Sequence, residues 1–368
     1  MMRLTLSLSE DRDEASVERA VAELRAARPV LIEREGERVL ALSVEGLDAA
    51  RCAALDGVAL GQARLVLPAP RLRRLGLERA EAGAIALPRL DPTRIEALAL
   101  RLEVRADAPV HALQPLDLDA LELARLAQLL PALVLVPLAP SVTVEDSILA
   151  VRGVALAAYR TAQAQRLAIV SRAPVPLEGA PETEFVVFRG GEGLRDQVAV
   201  IVGRPDPTRP VPVRLHSACL TGDLFGSLKC DCGDQLRGTV RALAEAEGGI
   251  VLYLDQEGRG NGLANKIRAY KLQAQGFDTY EADAALGFPL DQRRFDFAGS
   301  MLRQLGVTQV KLLTNNPDKA AALRAAGLVV TAEERVLGRV TPDNVRYLAA
   351  KRDRTGHALP RDLGCAGE

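Results

Sequence analysis

The 368-residue sequence contains no tryptophan, and only 3% of its residues are aromatic. Little material is left for the stacking platforms that bind single-stranded nucleic acid. Excess charge of either sign is also missing: 47 Lys and Arg against 48 Asp and Glu leave a formal net charge of −1. No global field recruits a polyanion or an anionic membrane, so attraction for a phosphate-bearing ligand must come from a local basic pocket. Long apolar runs are absent too. The most hydrophobic stretch, 126–140, is short and is interrupted by Pro131 and Pro137, so it is not a membrane span. Residues 1–14 carry no apolar stretch after a basic start, so no secretory signal is expected and a cytoplasmic location is. No internal repeat is found. Cysteine is scarce, but its placement is uneven: Cys52 and Cys365 stand alone, while Cys219, Cys230 and Cys232 crowd into fourteen residues. In a reducing compartment such a cluster points to metal before disulfide.

What is present is the composition of a globular protein with a core, 48% hydrophobic and 26% charged, at a length that suits two domains. Val17, Val21 and Leu24 fall at helical spacing; Pro29 closes that helix and 30–32 begins a strand. Glu35-Gly36 reads as a turn into a second strand at 39–42. From there to about residue 170 the text is rich in Ala, Leu and Arg, with helices expected at 117–130 and 146–165. Three prolines and a glycine make 172–182 the linker candidate, and domains are expected at 1–175 and 176–368. Beyond it, strands at 184–188, 197–202, 248–254 and 307–313 alternate with helices at 234–247, 263–275, 295–305 and 318–326, the first two strands joined by a turn at 190–193. This alternation predicts an α/β layer structure.

The chemistry concentrates in Arg214-Leu215-His216-Ser217-Ala218-Cys219, then Thr221-Gly222-Asp223, then Cys230-Asp231-Cys232-Gly233. Three thiolates at this spacing can reach one Zn²⁺. Spacing alone leaves two forms open: His216 completing a closed structural Cys₃His site, or an open site whose fourth position takes water. Directly after the strand ending at Leu254, Asp255-Gln256-Glu257-Gly258-Arg259-Gly260-Asn261-Gly262 lets backbone approach a ligand, with Arg259 as a planar donor fork. Such a glycine run, taken alone, equally suits an ordinary strand-to-helix turn. Lys266 and Tyr270, four apart, share one helix face; a solvated basic face is the plain reading of that helix and holds for Lys271. Asn316 is a good N-cap and Pro317 suits the first helical position, which puts free N–H groups and Lys319 at a helix start beside Thr314, a ready anion site.

In the stretches HSACLTGDLFGSLKCDCG, QEGRGNGL, NKIRAYKLQ, DTYEA and LLTNNPDK, with the late Tyr347-Leu348 and Gly356-His357, the sequence resembles GTP cyclohydrolase II. These segments span most of 180–358 in order, far more than a lone cysteine pattern. The resemblance implies a C-terminal mixed α/β sheet domain that hydrolyses GTP to 2,5-diamino-6-(5-phosphoribosylamino)pyrimidin-4(3H)-one, formate and pyrophosphate, the first step of riboflavin biosynthesis. It implies Cys219, Cys230 and Cys232 as ligands of one catalytic zinc per subunit, where a water is made acidic enough to attack C8 of guanine. It further implies Tyr270, Asp291 and Arg293 as catalytic residues, Arg293 handling the α-phosphoryl group. GTP contacts are implied for Arg214, Leu215, His216, Ser217, Ala218, Gln235, Glu257, Gly258, Arg259, Thr279, Thr314 and Lys319, with Mg²⁺ on the phosphates and a homodimer as the assembly.

Four positions depart from the family pattern: Ala218 in place of Glu, Asp255 in place of Arg, Asn261 in place of an apolar residue, and Lys229 in place of Arg. The segment 17–32 faintly resembles the start of 3,4-dihydroxy-2-butanone-4-phosphate synthase, often fused to this enzyme. That synthase needs an acid-rich loop after its first strand. Here Glu33-Arg34-Glu35-Gly36-Glu37-Arg38 interleaves bases with the acids, and His111 has no evident acidic partner. The N-terminal α/β domain is therefore expected to be degenerate and catalytically silent. Competing readings are a paralogue that stops at the formamidopyrimidine and a non-catalytic GTP- or zinc-binding regulator. A zinc-ribbon nucleic-acid binder fits neither the charge nor the aromatic content.

Overall fold

The computed structural model describes residues 9–192 and 195–355. Gly356, His357 and Cys365, the first eight residues and the end of the turn expected at 190–193 lie outside the described residues. The chain divides into two compact units, Met1–Arg160 with Glu281–Pro289, and Thr161–Tyr280 with Leu290–Glu368. Among the described residues no helix is long and apolar enough to cross a membrane.

The first unit holds β1 (Val30–Arg34), β2 (Glu37–Ser43), β3 (Ala63–Leu67), β4 (Gly83–Leu87), β5 (Val110–His111), β6 (Leu133–Pro137) and β7 (Ala150–Arg152). They form one sheet in the order β5-β4-β3-β6-β2-β1-β7. Glu35 and Gly36 turn β1 into β2 with φ of 51° and 86°, the pair of positive angles that a two-residue hairpin needs. Alternate residues go to opposite faces. Ile32, Val39, Ala41 and Leu135 join one buried cluster, and Leu31, Leu40, Leu42 and Val136 another. Because both faces are covered, these strands read as unbroken apolar text instead of an alternation. The helix expected at 146–165 starts later. Residues 150–152 pair in parallel with β1, and the helix runs Gly153–Gln165. A Cβ on Gly153 would lie 2.0 Å from Asp119 Oδ2, so only glycine fits at that junction.

The second unit holds β8 (Ala168–Pro174), β9 (Thr183–Glu192), β10 (Arg195–Val202), β11 (Val211–Ser217), β12 (Gly249–Leu254), β13 (Gln309–Leu313) and β14 (Val329–Glu334). Their order is β14-β13-β11-β12-β10-β9-β8. The segment expected as a linker is structured at its start: β8 ends at Pro174, and Leu177 and Ala180 form an isolated bridge. β11 runs parallel to β12 on one side and to β13 on the other, while β10 is antiparallel to β12. The chain thus leaves β11 towards one neighbour first and reaches the other later. Ligands of open α/β sheets bind at such a reversal, beyond the carboxyl ends of the strands.

Packing fixes these strand ends. Val213, Leu215, Leu252 and Leu312 meet Phe297, Met301 and Leu302 of the helix Asp296–Gln304. The other face takes Val240 and Leu243 of the helix Cys232–Glu245 against Val200, Val202 and Val251. Each large apolar side chain fully buried here contributes about 1.5–3 kcal/mol, so the loops beyond the strands stand on a rigid base.

Candidate active site

The two cysteine-bearing segments meet beyond the end of β11. Cys219 leads into the short helix Leu220–Asp223, and Cys232 begins the helix Cys232–Glu245. The sulfurs of Cys219, Cys230 and Cys232 lie within 4.8 Å of one another, the one group able to hold a metal among the described residues. Cys219 Sγ and Cys230 Sγ are 3.6 Å apart. Two thiolates bound tetrahedrally at about 2.3 Å to one zinc stand about 3.8 Å apart, so the spacing fits that ion. Gly222 makes the cradle possible: a Cβ there would come within 2.7 Å of Cys230 Sγ and 3.1 Å of Cys219 Sγ. Hydrogen bonding from its two neighbours, aided by Lys266, draws the Cys219 thiol far below its ordinary value. The same sharing pushes Cys230 up to about 11 and raises Cys232. A divalent ion held here would deprotonate all three.

His216 does not join the sulfurs. Burial holds its imidazole below the ordinary value, and the neutral ring donates from Nε2 to Asp223 Oδ1 at 3.0 Å. Asp223 also accepts from the Tyr253 hydroxyl at 3.0 Å and from the Cys219 N–H at 2.9 Å. One buried carboxylate therefore fixes a pocket histidine and the peptide of a metal ligand together. His216 Nδ1 and Arg214 Nε are buried without a hydrogen-bond partner, a rare condition for interior polar atoms and one that a bound ligand would relieve.

The turn after β12 supplies Glu257, Gly258 and Arg259. Gly258 and Arg259 take φ of 60° and 61°. For the arginine this is strained backbone of the kind found at binding sites. Glu257 Oε2 accepts the Leu220 N–H at 2.6 Å, and Glu257 Oε1 accepts from Lys266 Nζ at 2.8 Å. The same ammonium lies 3.1 Å from Cys219 Sγ. Burial opposes its charge, but the Cys219 thiolate and Glu257 prevail and raise Lys266 above the ordinary lysine value. Tyr270, one turn beyond Lys266 on the helix Leu263–Gln273, places its hydroxyl 3.4 Å from Thr221 Oγ1. Burial raises its phenol against the opposing pull of Thr221 and Lys266.

A basic pocket lies alongside. Arg293 is bound to Asp291 through Nε at 3.0 Å and Nη2 at 2.5 Å, and its Nη1 reaches Ser217 Oγ at 3.4 Å. Lys319 Nζ donates to the Leu215 carbonyl at 2.6 Å, so Leu215 contributes through its backbone. Arg293 and Lys319 both stand over the Phe295 ring, at 5.4 and 5.3 Å. Arg214 donates to Gln235 Oε1 at 2.5 Å, and Gln235 in turn to Asp231 Oδ2 at 2.5 Å. Burial lowers Arg214 to about 10. Burial, then Arg293, Arg214 and Lys351, press Lys319 well below its usual value. Cations crowded this way are stabilised by an anion among them, which supplies the local field that the near-neutral chain lacks.

The remaining expected positions are more peripheral. Thr279 begins the helix Thr279–Ala285, its carbonyl 3.4 Å from Arg259 Nη2. Thr314 spends its hydroxyl on its own turn, accepting the Asn316 N–H at 3.0 Å. Ala218 donates its N–H to the Leu254 carbonyl at 2.7 Å. The other three unusual residues have local partners as well. Buried Asn261 accepts from Gln292 Nε2 at 2.8 Å, which ties the Asp291–Arg293 loop to the glycine turn. The Asp255 N–H donates to Gln197 Oε1 at 2.8 Å. Lys229 stands 5.3 Å over the Tyr270 ring. Asp223, Tyr253, Lys266 and Lys351, the last 3.7 Å from Asp231 Oδ1, were given no site role from the sequence. The Thr-Gly-Asp run beside Cys219 was the available signal for Asp223.

Comparison with known proteins gives the family. The family described as GTP cyclohydrolase II matches residues 168–336. A GTP cyclohydrolase-2 of Xylella fastidiosa is 46% identical over 351 residues, covering 94% of this chain and 87% of that protein. One from Azospirillum brasilense is 41% identical over 372 residues, covering 94% and 95%. A solved two-domain 3,4-dihydroxy-2-butanone 4-phosphate synthase from A. baumannii shares 18% identity, covers 88% of this chain and 99% of that one, and gives a TM-score of 0.33, too slight a likeness to build on. With 41–46% identity running through both units, and the cysteine cradle and basic pocket side by side, this chain belongs to the GTP cyclohydrolase II family and is a hydrolase of that kind.

Proposed function

We propose that the protein is a zinc-dependent enzyme that converts GTP to 2,5-diamino-6-(5-phosphoribosylamino)pyrimidin-4(3H)-one, with release of formate and pyrophosphate, as the first step of riboflavin biosynthesis in the cytoplasm. The observation that carries this reading is the convergence of the three sulfurs within 4.8 Å, with Thr221 between Cys219 and the Tyr270 hydroxyl. Zinc held by Cys219, Cys230 and Cys232 supplies a Lewis acid that activates water near neutral pH. One water adds at C8 and opens the imidazole ring; a second releases that carbon as formate. Tyr270, whose raised pKa keeps it protonated, serves as the hydrogen-bond donor and proton source at the purine end. Glu257, Gly258, Arg259 and Thr279 line the approach to the base and ribose.

Arg214, His216, Ser217, Gln235, Thr314 and Lys319 take the triphosphate, which carries its Mg²⁺ as part of the substrate. Arg293 binds the α-phosphate. Burial opposes its charge but Asp291 outweighs burial, so its pKa is raised further. A guanidinium that holds its proton this firmly acts as an electrostatic clamp rather than a covalent nucleophile. In the pyrophosphate step a water oxygen joins the α-phosphorus, the bridging oxygen leaves with pyrophosphate, and Asp291 takes the proton.

The N-terminal unit serves packing or dimerisation in a homodimer. Arg34 grips Asp119 through two hydrogen bonds of 2.7 and 2.8 Å, and Arg64 grips fully buried Asp117 at 2.6 Å. Both carboxylates are thereby engaged rather than offered to a cation. A cavity of about 220 Å³ lined by Arg64, His111, Gln114 and Asp117 remains in this unit. Butanone-phosphate formation from ribulose 5-phosphate would overturn the silent reading.

The test is incubation of the zinc-loaded protein with GTP and Mg²⁺ while formate and pyrophosphate are followed together. Equal release supports the full reaction. Pyrophosphate without formate moves the assignment to a protein with a dead ring-opening half, and release of neither moves it to a GTP-binding regulator.

A further inference from the structure

We infer that Lys266 is a positioning residue of the metal centre: its ammonium donates a hydrogen bond to the sulfur of Cys219 and sets how much electron density that thiolate gives to the metal. The inference rests on the zinc reading above and adds a residue to it. Lys266 Nζ lies 3.1 Å from Cys219 Sγ and 2.8 Å from Glu257 Oε1, with 11% of its side chain exposed. Glu257 reaches the same segment from the other side, since its Oε2 takes the N–H of Leu220, the residue after Cys219. The Lys266–Glu257 pair thus holds Cys219 at the sulfur and at the next peptide, which a solvated helix lysine would not do.

Local backbone holds the ammonium in place. A Cβ on Gly258 would lie 3.1 Å from Lys266 Cβ, so the glycine turn rests directly on the lysine stem. Gly258 also donates its N–H to Glu257 Oε1 at 2.8 Å, aligning the carboxylate that Lys266 binds. The charges agree in sign. Three thiolates and a dication sum to −1, and the ammonium of Lys266, shared with Glu257, offsets negative charge at the Cys219 sulfur. An N–H···S bond withdraws electron density from the sulfur, weakens its donation, and leaves the metal the stronger Lewis acid. Groups that hydrogen-bond to metal ligands tune metals in this way, and their loss commonly lowers affinity or activity about 10–100-fold.

The test replaces zinc with cobalt(II) in the full-length protein and reads the thiolate-to-cobalt absorption of the wild type and of Lys266→Met. The variant band is expected at longer wavelength, because a sulfur without its donor gives up electrons more readily. In the zinc enzyme, kcat for formate release is expected to fall about 10–100-fold at an unchanged KM for GTP. If Lys266→Met does not fold, Lys266→Leu, which also removes both the charge and the donor, is read in the same way. An unmoved band in a folded, cobalt-loaded variant would overturn the inference while leaving the zinc site standing. Absence of any thiolate-to-cobalt band in the wild type would instead overturn the metal reading itself.

Discussion

Gly222→Ala perturbs the metal cradle with a single methyl group. Its Cβ would stand 2.7 Å from Cys230 Sγ, 3.1 Å from Cys219 Sγ and 3.1 Å from Cys232 Cβ. Comfortable separations are about 3.5–4.0 Å, so at least one sulfur must retreat by about 1 Å. A metal site tolerates distance errors of about 0.2 Å, so the displaced thiolate ceases to be a ligand. Structural zinc sites with four ligands bind with about 10–16 kcal/mol, which makes each ligand worth about 2.5–4 kcal/mol and predicts a loss of about two to three orders of magnitude in zinc affinity. The assay is competition with a chromophoric chelator, alongside formate release from GTP. Gly238→Ala is the control: nothing lies within 4 Å of its Cβ, and it sits inside the helix Cys232–Glu245, where alanine gains about 1 kcal/mol over glycine. Zinc affinity in Gly222→Ala equal to the wild type would refute the cradle.

Asp223→Asn replaces a carboxylate that His216, Tyr253 and the Cys219 N–H all use; it is expected to cost about 1–3 kcal/mol of stability, read as a lower melting temperature, and to slow formate release. Arg293→Met should reduce pyrophosphate release at least about 100-fold while leaving zinc content unchanged, since it removes the phosphate clamp and touches no sulfur. The pH dependence of stability carries a signature of Asp291. Burial raises its carboxyl, but Arg293 prevails and holds it below the ordinary range, so the stability it contributes is present above about pH 4 and is lost as pH falls through the folded value. The melting temperature of the wild type should therefore fall more steeply below about pH 4 than that of Asp291→Asn; parallel curves would contradict the ion pair.

Much of the site was legible because its parts are short segments with their own logic: thiols spaced for a metal, glycines ahead of an arginine, an N-cap followed by Pro317. The strand that aims the pocket was not. Pro212 interrupts the pattern of β11, and a proline argues against a central strand, yet Val211, Val213 and Leu215 face the core while Arg214 and His216 are buried polar residues on the strand. Lys266 could be placed on the Tyr270 face but given no role, because its partners, Glu257 and Cys219, lie on other segments that only the fold brings to it. In the N-terminal unit, burial on both sheet faces erased the alternation that marks a strand, so β3, β4 and β6 passed as featureless Ala/Leu text. The pairing of Arg34 with Asp119 was equally hidden, since it joins the β1 hairpin to a helix far along the chain.

The most direct test of the zinc-dependent ring opening is a titration. Metal-stripped protein is supplied with increasing zinc, and formate released from GTP is measured at each step. The rate should rise in proportion to zinc and break at one ion per chain, with Cys230→Ser showing neither the rise nor the break. Full formate release from the stripped protein, or a break at another stoichiometry, would contradict the three-cysteine site as the seat of the chemistry.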